Sequence, residues 1–466
     1  MSTNTIVKND KKLINAWCMY DWANSVYSLT ITTAIFPSYY LAVTSKEFYF
    51  LGFKVINSAL YSFALSAAYL FAAILSPFLT AIADYTGKKK LFMQLFCYIG
   101  SASCAYLFFF TKDNVTLPIL AFMAATVGYS GSIVFYNAFL PEIATDDYVD
   151  KVSARGFAYG YVGSVLLLIF NLVMILFPEL FFPVQNKVNE LLMNNPGITY
   201  DQALEDVKGK YAGLSSRISF LSVGFWWFAF SQYTFWYLPS NVHRKKATGN
   251  WLFNGIRELR KVLHELEWQK YLKIFLISFF LYNLGVQTVM LMATIFGKEE
   301  LNLHTGQLIG VILIIQIIAI FGANIFARIS SRVGNIYSLA IILTVWIAIC
   351  IIAFLIKTDI HFYALAVIVG FVMGGVQSMS RSTYSKLIPD NTTDNASYFS
   401  FYDVADKIST FSGTLLFGLV TNVTGSMRMS ALVLAAFFIA GLIIILRIPS
   451  KVVYNIEVNN EGKIEL

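Results

Sequence analysis

Charge is what this sequence has least of. Asp, Glu, Lys and Arg make up 13% of its 466 residues, about half of the roughly 25% usual in soluble domains. That scarcity excludes a disordered chain and an ordinary soluble enzyme. Lys and Arg are spread between apolar runs rather than gathered on one face, which excludes a nucleic-acid partner. Cysteine occurs four times. Cys18, Cys97, Cys104 and Cys350 lie within or beside apolar runs, without metal-ligand spacing, and read as small packing residues. Histidine is equally rare, and His243, His264, His304 and His361 all fall in or near loops. No Gly-rich loop ends in Lys-Ser or Lys-Thr, so ATP is not the expected energy source. Gly-x-Ser-x-Gly and His-Glu-x-x-His are also missing, which disfavours an intramembrane hydrolase or metalloenzyme. Neither a metal nor a cofactor is expected. Lys8, Lys11 and Lys12 could pass for the start of a cleavable signal. The next segment carries Trp17, Tyr20, Asp21, Trp22 and Asn24, with no small-residue cleavage site, so the first apolar run is expected to be retained.

What is abundant is apolar surface: 57% of residues are hydrophobic and 16% aromatic. A spanning helix needs about 20 mostly apolar residues. Twelve such runs occur, at roughly 13–42, 56–82, 91–110, 115–139, 157–177, 217–238, 271–296, 305–327, 337–356, 362–380, 399–422 and 430–446. Lys and Arg favour the connections on the N-terminal side by roughly two to one, which places both termini in the cytoplasm. The halves repeat with an offset of 248: Tyr136, Leu140, Pro141, Glu142, Thr145 and Asp146 align with Tyr384, Ile388, Pro389, Asp390, Thr393 and Asp394. A weaker echo joins Ala83-Asp84-Tyr85-Thr86-Gly87 to Ser330-Ser331-Arg332-Val333-Gly334. The expected fold is an all-α membrane protein of twelve transmembrane helices in two six-helix halves, the major facilitator plan. The expected units are 1–238, with an external loop at 178–216; a cytoplasmic linker at 239–270; 271–446; and a cytoplasmic tail at 447–466.

Two connections are longer than turns. In 178–216, Thr199 and Gln202 form a capping-box pattern, followed by Leu204, Val207, Tyr211 and Leu214 on one face of a short helix. In 239–270, Leu252, Ile256, Leu259, Leu263 and Leu266 form an apolar stripe beside Arg257, Arg260 and Lys261, as in a helix lying on the inner membrane surface.

Four constellations carry candidate chemistry. Asp84 through Lys90 follows the second span: Gly87 permits a tight turn, Asp84 can accept donors at a helix start, and Lys88 begins a basic run. Its expected role is a conformational latch formed by Asp84, Gly87, Lys88 and Asp403. Asp21, Asn24, Ser28 and Thr32 draw a polar stripe down the first span; Asp21 reads either as a structural interface residue or as a substrate-amine or proton site. Gly370, Gly374, Gln377 and Arg381 draw another on the tenth, with Arg381 a fitting partner for a carboxylate. Asp403, Asp406 and Lys407 lie on the eleventh span, where Asp403 and Lys407 are spaced to neutralise each other. Asn283 and Gln287 share a face of the seventh span, while Asn137, Asn171 and Gln316 are polar at membrane depth. The expected pathway set is Asp21, Asn24, Ser28, Asn137, Asn283, Gln287, Gln377, Arg381 and Lys407.

The run Tyr20-Asp21-Trp22-Ala23-Asn24-Ser25, with Phe36-Pro37 and Tyr39-Tyr40, resembles the opening of the vacuole-effluxer-like family of the major facilitator superfamily, named for a yeast autophagy-related amino-acid exporter. Tyr136-Asn137, Leu140-Pro141, Gly160-Tyr161, Gly163, Ser380-Arg381-Ser382, Pro389, Lys407 and Leu415-Leu416-Phe417-Gly418 extend the resemblance over nearly the whole chain. Ser400, Asp406 and Thr414 depart from it, standing where that family usually has Gly, Gly and Pro. The resemblance implies a twelve-span permease and, from the fungal members, efflux of neutral amino acids. The expected partners are a small-molecule solute, a coupled proton and the lipid bilayer, with a monomeric chain in the plasma (inner) membrane if bacterial. A non-transporting membrane receptor or scaffold on the same fold is the alternative.

Overall fold

The structure is a computed structural model that describes residues 7–45, 47–50, 52–240, 251–303, 305–389 and 392–450. His243, His304, Asp390 and the tail from 451 lie outside the described residues, as do the side chains of Leu252 and Ile256. Long helices dominate because apolar runs of this length can satisfy their backbone groups internally only as helices when they face lipid.

The first half opens with α1 (Lys11–Val26), capped by Asp10, whose carboxylate accepts from Lys12 N and Leu13 N. The helix continues as a π-helical stretch over Tyr27–Ala34 and bends by 41° into α2 (Phe36–Val43), where Pro37 starts the new segment. A two-stranded hairpin follows, β1 (Glu47–Phe50) antiparallel to β2 (Phe53–Ile56), a small exception to the all-helical expectation. Next come α3 (Asn57–Thr86), α4 (Lys89–Tyr106), α5 (Thr116–Ala138), the short α6 (Leu140–Ile143) and α7 (Asp146–Leu176). Gly87 turns the chain between α3 and α4 at φ +69°, a conformation that costs glycine little.

The 178–216 connection differs from the expected short helix in two ways. It contains α8 (Val184–Asn194), and the capping box at Thr199 and Gln202 starts a single 38-residue α9 (Tyr200–Tyr237) that merges with the sixth span. Val184, Val188, Ala203 and Val207 form a separate small core where α8 folds back on α9. That core supports the outer turns of α9, so no break is needed at the membrane surface.

The linker holds α10 (Trp251–Trp268), and the second half follows as α11 (Lys270–Leu301), α12 (Thr305–Val333), α13 (Asn335–Leu355), α14 (Asp359–Leu387), α15 (Asn395–Thr424) and α16 (Met427–Ile445). Among the described residues, nine helices are long and apolar enough to cross a membrane, or ten with the bent α1–α2 pair. The other two apolar runs fall on α9 and α15. Ser, Gln and Thr dilute the first, and Asp403, Asp406 and Lys407 the second.

Helix neighbours repeat between halves. α1 packs on α7 and α9 as α11 packs on α15 and α16. α4 packs on α5 and α9 as α13 packs on α14 and α16, and α3 meets α5 as α12 meets α14. Across the halves, α7 packs on α12 and α14, and α15 on α3 and α5. Close approach needs small residues: a Cβ on Gly156 of α7 would stand 2.6 Å from Asp21 Oδ2 and 2.9 Å from Arg381 Nη2. Phe63, Leu70 and Ile74 on α3 and Leu355 on α13 remain exposed, as lipid-facing side chains do.

α10 lies across one end of the bundle against α3, α11 and α15. Leu259 and Val262 are buried under it, whereas Leu263 of the expected stripe is exposed. Lys261 reaches Asp394 at 3.1 Å, and Tyr398 donates to Glu265 at 3.1 Å. Burial and the nearby Asp394 push the Glu258 carboxyl up. Burial opposes the charge on Lys261, but hydrogen bonds to Asp394 and Glu258 outweigh it and raise that ammonium.

Candidate functional site

Two cavities, of about 160 and 250 Å³, lie between the halves. Both are lined by Tyr129, Gln287, Gln377, Asp403 and Asp406, so they adjoin. The smaller one ends on Asp21, Tyr136, Asn137 and Arg381; the larger continues past Ser28, Thr32 and Thr33. An apolar cavity of about 60 Å³, walled by Val289, Phe296 and Leu434, sits inside the second half, apart from these charges.

Arg381 projects from α14 into the first half and is 3% exposed. Its Nη1 donates to Asp21 Oδ2 at 3.2 Å, its Nε to Ser153 Oγ at 3.0 Å and its Nη2 to Ser153 O at 2.7 Å. Asn137 Oδ1 stands 3.5 Å from Nη1, and the Phe157 ring centroid 4.0 Å from the guanidinium carbon. Tyr136 donates to the same Asp21 oxygen at 2.7 Å. A buried guanidinium is stable only when compensated in this way. The arrangement therefore holds while the halves are together and loses its partners if they part here. Tyr161 adds a bond to Gln377 at 2.5 Å across the same seam.

Of the first-span stripe, Asp21, Ser28 and Thr32 line the cavities. Asn24 is buried away from them, and Ser25, one position on, takes the cavity face. Ser25, Ser28 and Thr32 follow Asp21 at i+4, i+7 and i+11, one helical face. The π-helical stretch brings Thr33 onto the lining beside Thr32, and both hydroxyls donate to Ser28 O.

On α15, Lys407 pairs with Asp403, both buried. Asp403 lines the cavities and is not part of the Asp84 contact, so the structure separates it from the other expected latch residues. Asn283 and Gln287 of α11 meet at Asp406, donating to its Oδ1 at 2.8 and 3.1 Å. Asp406 was outside the expected pathway set. Its signal in the sequence was one more charge on an already charged span.

At the Asp84 end, polar groups tie the halves together. Asp84, 1% exposed, accepts from Ser397 N at 2.7 Å, Ser397 Oγ at 2.8 Å and Ala396 N at 3.4 Å, all at the start of α15. A carboxylate at a helix N-terminus meets free N–H groups and the positive end of the dipole. Lys89, rather than the exposed Lys88, turns inward and pairs with Glu142, which also accepts from Asn395 Nδ2 at 3.0 Å. In the reciprocal position, Asp150 of α7 accepts from Ser330 Oγ at 2.8 Å, Asn335 Nδ2 at 2.7 Å and Lys386 Nζ at 2.9 Å. Among the described residues, hydrogen bonds between the halves are confined to this end and the cavity floor.

The family model "Vacuole effluxer Atg22 like" matches residues 9–452. An uncharacterized MFS-type transporter, YxiO of Bacillus subtilis (strain 168), is 28% identical over 453 residues, covering 96% of this chain and 97% of that protein. Autophagy-related protein 22 of Kluyveromyces lactis is 24% identical over 419 residues, covering 82% and 78%. The crystal structure of the major facilitator superfamily transporter FucP in the outward conformation superposes with a TM-score of 0.63 at 13% identity, covering 94% of this chain and 97% of that one, which speaks for the fold alone. With two equivalent helical sets, a polar cavity between them and a family match over nearly its whole length, the chain belongs to the vacuole effluxer Atg22-like family and is a multi-pass membrane transporter of the major facilitator type.

Proposed function

We propose that this chain is a secondary active transporter, not an enzyme, that moves a small polar solute of the amino-acid class out of the cell by alternating access. The observation that carries the reading is the central cavity: charged groups from both halves meet in it, and it is sealed at one end by inter-half hydrogen bonds. Both termini and the 239–270 linker lie in the cytoplasm, so the sealed end is the cytoplasmic one and the cavity serves an outward-facing state. The halves 1–238 and 271–446 move against each other, Asp84 and Gly87 latch the cytoplasmic end, and Asp21, Asn137, Asn283, Gln287, Gln377, Arg381 and Lys407 line the route. Asp21 is the proton-coupling carboxylate, released from Arg381 when the floor opens. The protein acts as a monomer in the plasma membrane.

A receptor or scaffold on this fold has no use for an ion pair buried across two halves, because such a pair contributes little net stability. The test is purified protein in liposomes with an imposed proton gradient and a pooled amino-acid mixture. Gradient-dependent movement of a solute supports the reading. A sealed, correctly inserted preparation that moves none of them in either direction removes it.

A further inference from the structure

The charges facing the central cavity do not balance. Three carboxylates line it, Asp21, Asp403 and Asp406, against two cations, Arg381 and Lys407. Arg381 is held by Asp21, and Lys407 by Asp403. Asp406 pairs with no cation among the described residues. Asn283 and Gln287 donate only to its Oδ1, which fixes the carboxylate and leaves Oδ2 without a protein partner. Asp403, 6% exposed, has a second carboxylate oxygen that makes no hydrogen bond. Tyr129 and the stacked pair Phe279 and Tyr402, 4.2 Å between centroids, supply π faces on the same lining.

We propose that Asp406 is the anchor for a positively charged group of the solute, an ammonium or guanidinium, and that this transporter selects solutes of net positive charge. The inference rests on reading the cavity as the solute route. A cation there gains a charge-assisted hydrogen bond from a fixed carboxylate and attraction from the aromatic faces. A solute carboxylate gains nothing comparable, because both cations are engaged and Asp406 repels it. A neutral zwitterion satisfies one of its charges and leaves the other facing Asp406.

The test uses full-length purified protein, in detergent for thermal-shift binding and in liposomes for uptake. The probes are cadaverine, L-lysine, L-leucine and L-glutamate. Cadaverine and lysine are expected to stabilise the wild type at concentrations at least tenfold below those at which leucine or glutamate do so. Loss of one charge-assisted bond corresponds to roughly a 10- to 100-fold loss of affinity, expected for the cationic probes in Asp406→Asn. Asp406→Glu should retain part of it. Thr410→Lys, one helical turn along on the same lining, should occupy Asp406 and abolish cationic binding, which keeps the test decisive if Asp406→Asn folds poorly. Equal binding of leucine, unchanged affinity in Asp406→Asn, or no binding of either cationic probe overturns the proposal. If Asp406→Asn alters only the pH dependence of uptake, Asp406 is a proton carrier and the proposal is likewise overturned. Binding of cationic probes without uptake defeats the transporter reading but not this one. Uptake of leucine or glutamate alone does the reverse.

Discussion

Replacing Asp84 by asparagine keeps the shape of the side chain and removes its charge. The carboxylate makes two short bonds, to Ser397 N at 2.7 Å and Ser397 Oγ at 2.8 Å, at the N-terminal end of α15, where N–H groups lack intrahelical partners. A hydrogen bond to a charged group contributes about 1.5–3 kcal/mol and a neutral one about 0.5–1.5, so each bond weakens by about 1 kcal/mol. Loss of the helix-terminus interaction adds about 0.3–1 kcal/mol. The total, about 2–3 kcal/mol, belongs to the state in which the halves touch here, and it shifts the closed-to-open ratio at this end by roughly 30- to 150-fold. Spin labels on Lys88→Cys and Arg332→Cys, both exposed, can report that shift as a distance distribution. The four native cysteines are buried and give no background labelling. Asp84→Asn should broaden the distribution toward longer distances and impair transport, with near-normal expression. An unchanged distribution, with unchanged transport, would refute the idea that this carboxylate holds the end shut.

Gly156→Ala should cost about 1–3 kcal/mol in thermal stability, because its Cβ intrudes on the Asp21–Arg381 pair, and detergent melting curves measure this directly. Asp21→Asn strands a buried guanidinium and should cost about 3–5 kcal/mol, part of which Asp21→Asn with Arg381→Gln recovers; a double variant no more stable than either single one would contradict the pairing. In liposomes Asp21→Asn should stop proton-driven accumulation while substrate exchange continues, and accumulation like the wild type at every pH would make Asp21 structural. Ser240→Cys should react with impermeant thiol reagents only in opened cells, and labelling of intact cells would invert the topology.

The apolar runs made the long helices legible because a 20-residue hydrophobic segment has few alternatives in lipid. The runs failed to show where helices end: α9 passes through the predicted loop boundary because its outer turns gain a core from α8, a contact invisible to local periodicity. Asp21 and Arg381 were legible singly as buried charges that require partners. Their pairing across 360 residues is beyond local spacing. Asn24 falls off the cavity lining because a stripe drawn at i, i+3, i+7 and i+11 and one at i, i+4, i+7 and i+11 are equally helical, so periodicity alone does not choose between them. Asp403, expected with the latch, lines the cavity instead, paired with Lys407 one turn away.

The repeat also explains why the sealed end is built from unlike chemistry at like positions. Both seams bring the connection after one half's second span to the start of the other half's fifth. In one seam that connection supplies the carboxylate, Asp84, and α15 the donors. In the other the carboxylate is Asp150 on α7, and Ser330 and Asn335, beside the equivalent connection, donate. Exchanging the roles puts the accepting carboxylate on opposite partners in the two seams, and the second carboxylate of the Asp84 seam, Glu142, is neutralised by Lys89. Lys386 reinforces the Asp150 seam, whereas the Asp84 seam relies on helix N–H groups and a serine hydroxyl. Charge removal at the two seams therefore has different consequences: asparagine at Asp84 loses dipole and hydrogen-bond energy, but asparagine at Asp150 also takes the carboxylate from Lys386, which keeps its bond to Asn335 Oδ1 at 3.0 Å. An Asp150→Asn variant should be the less stable protein of the two in a detergent melt, and equal losses would mean that the Lys386–Asp150 pair adds nothing to stability.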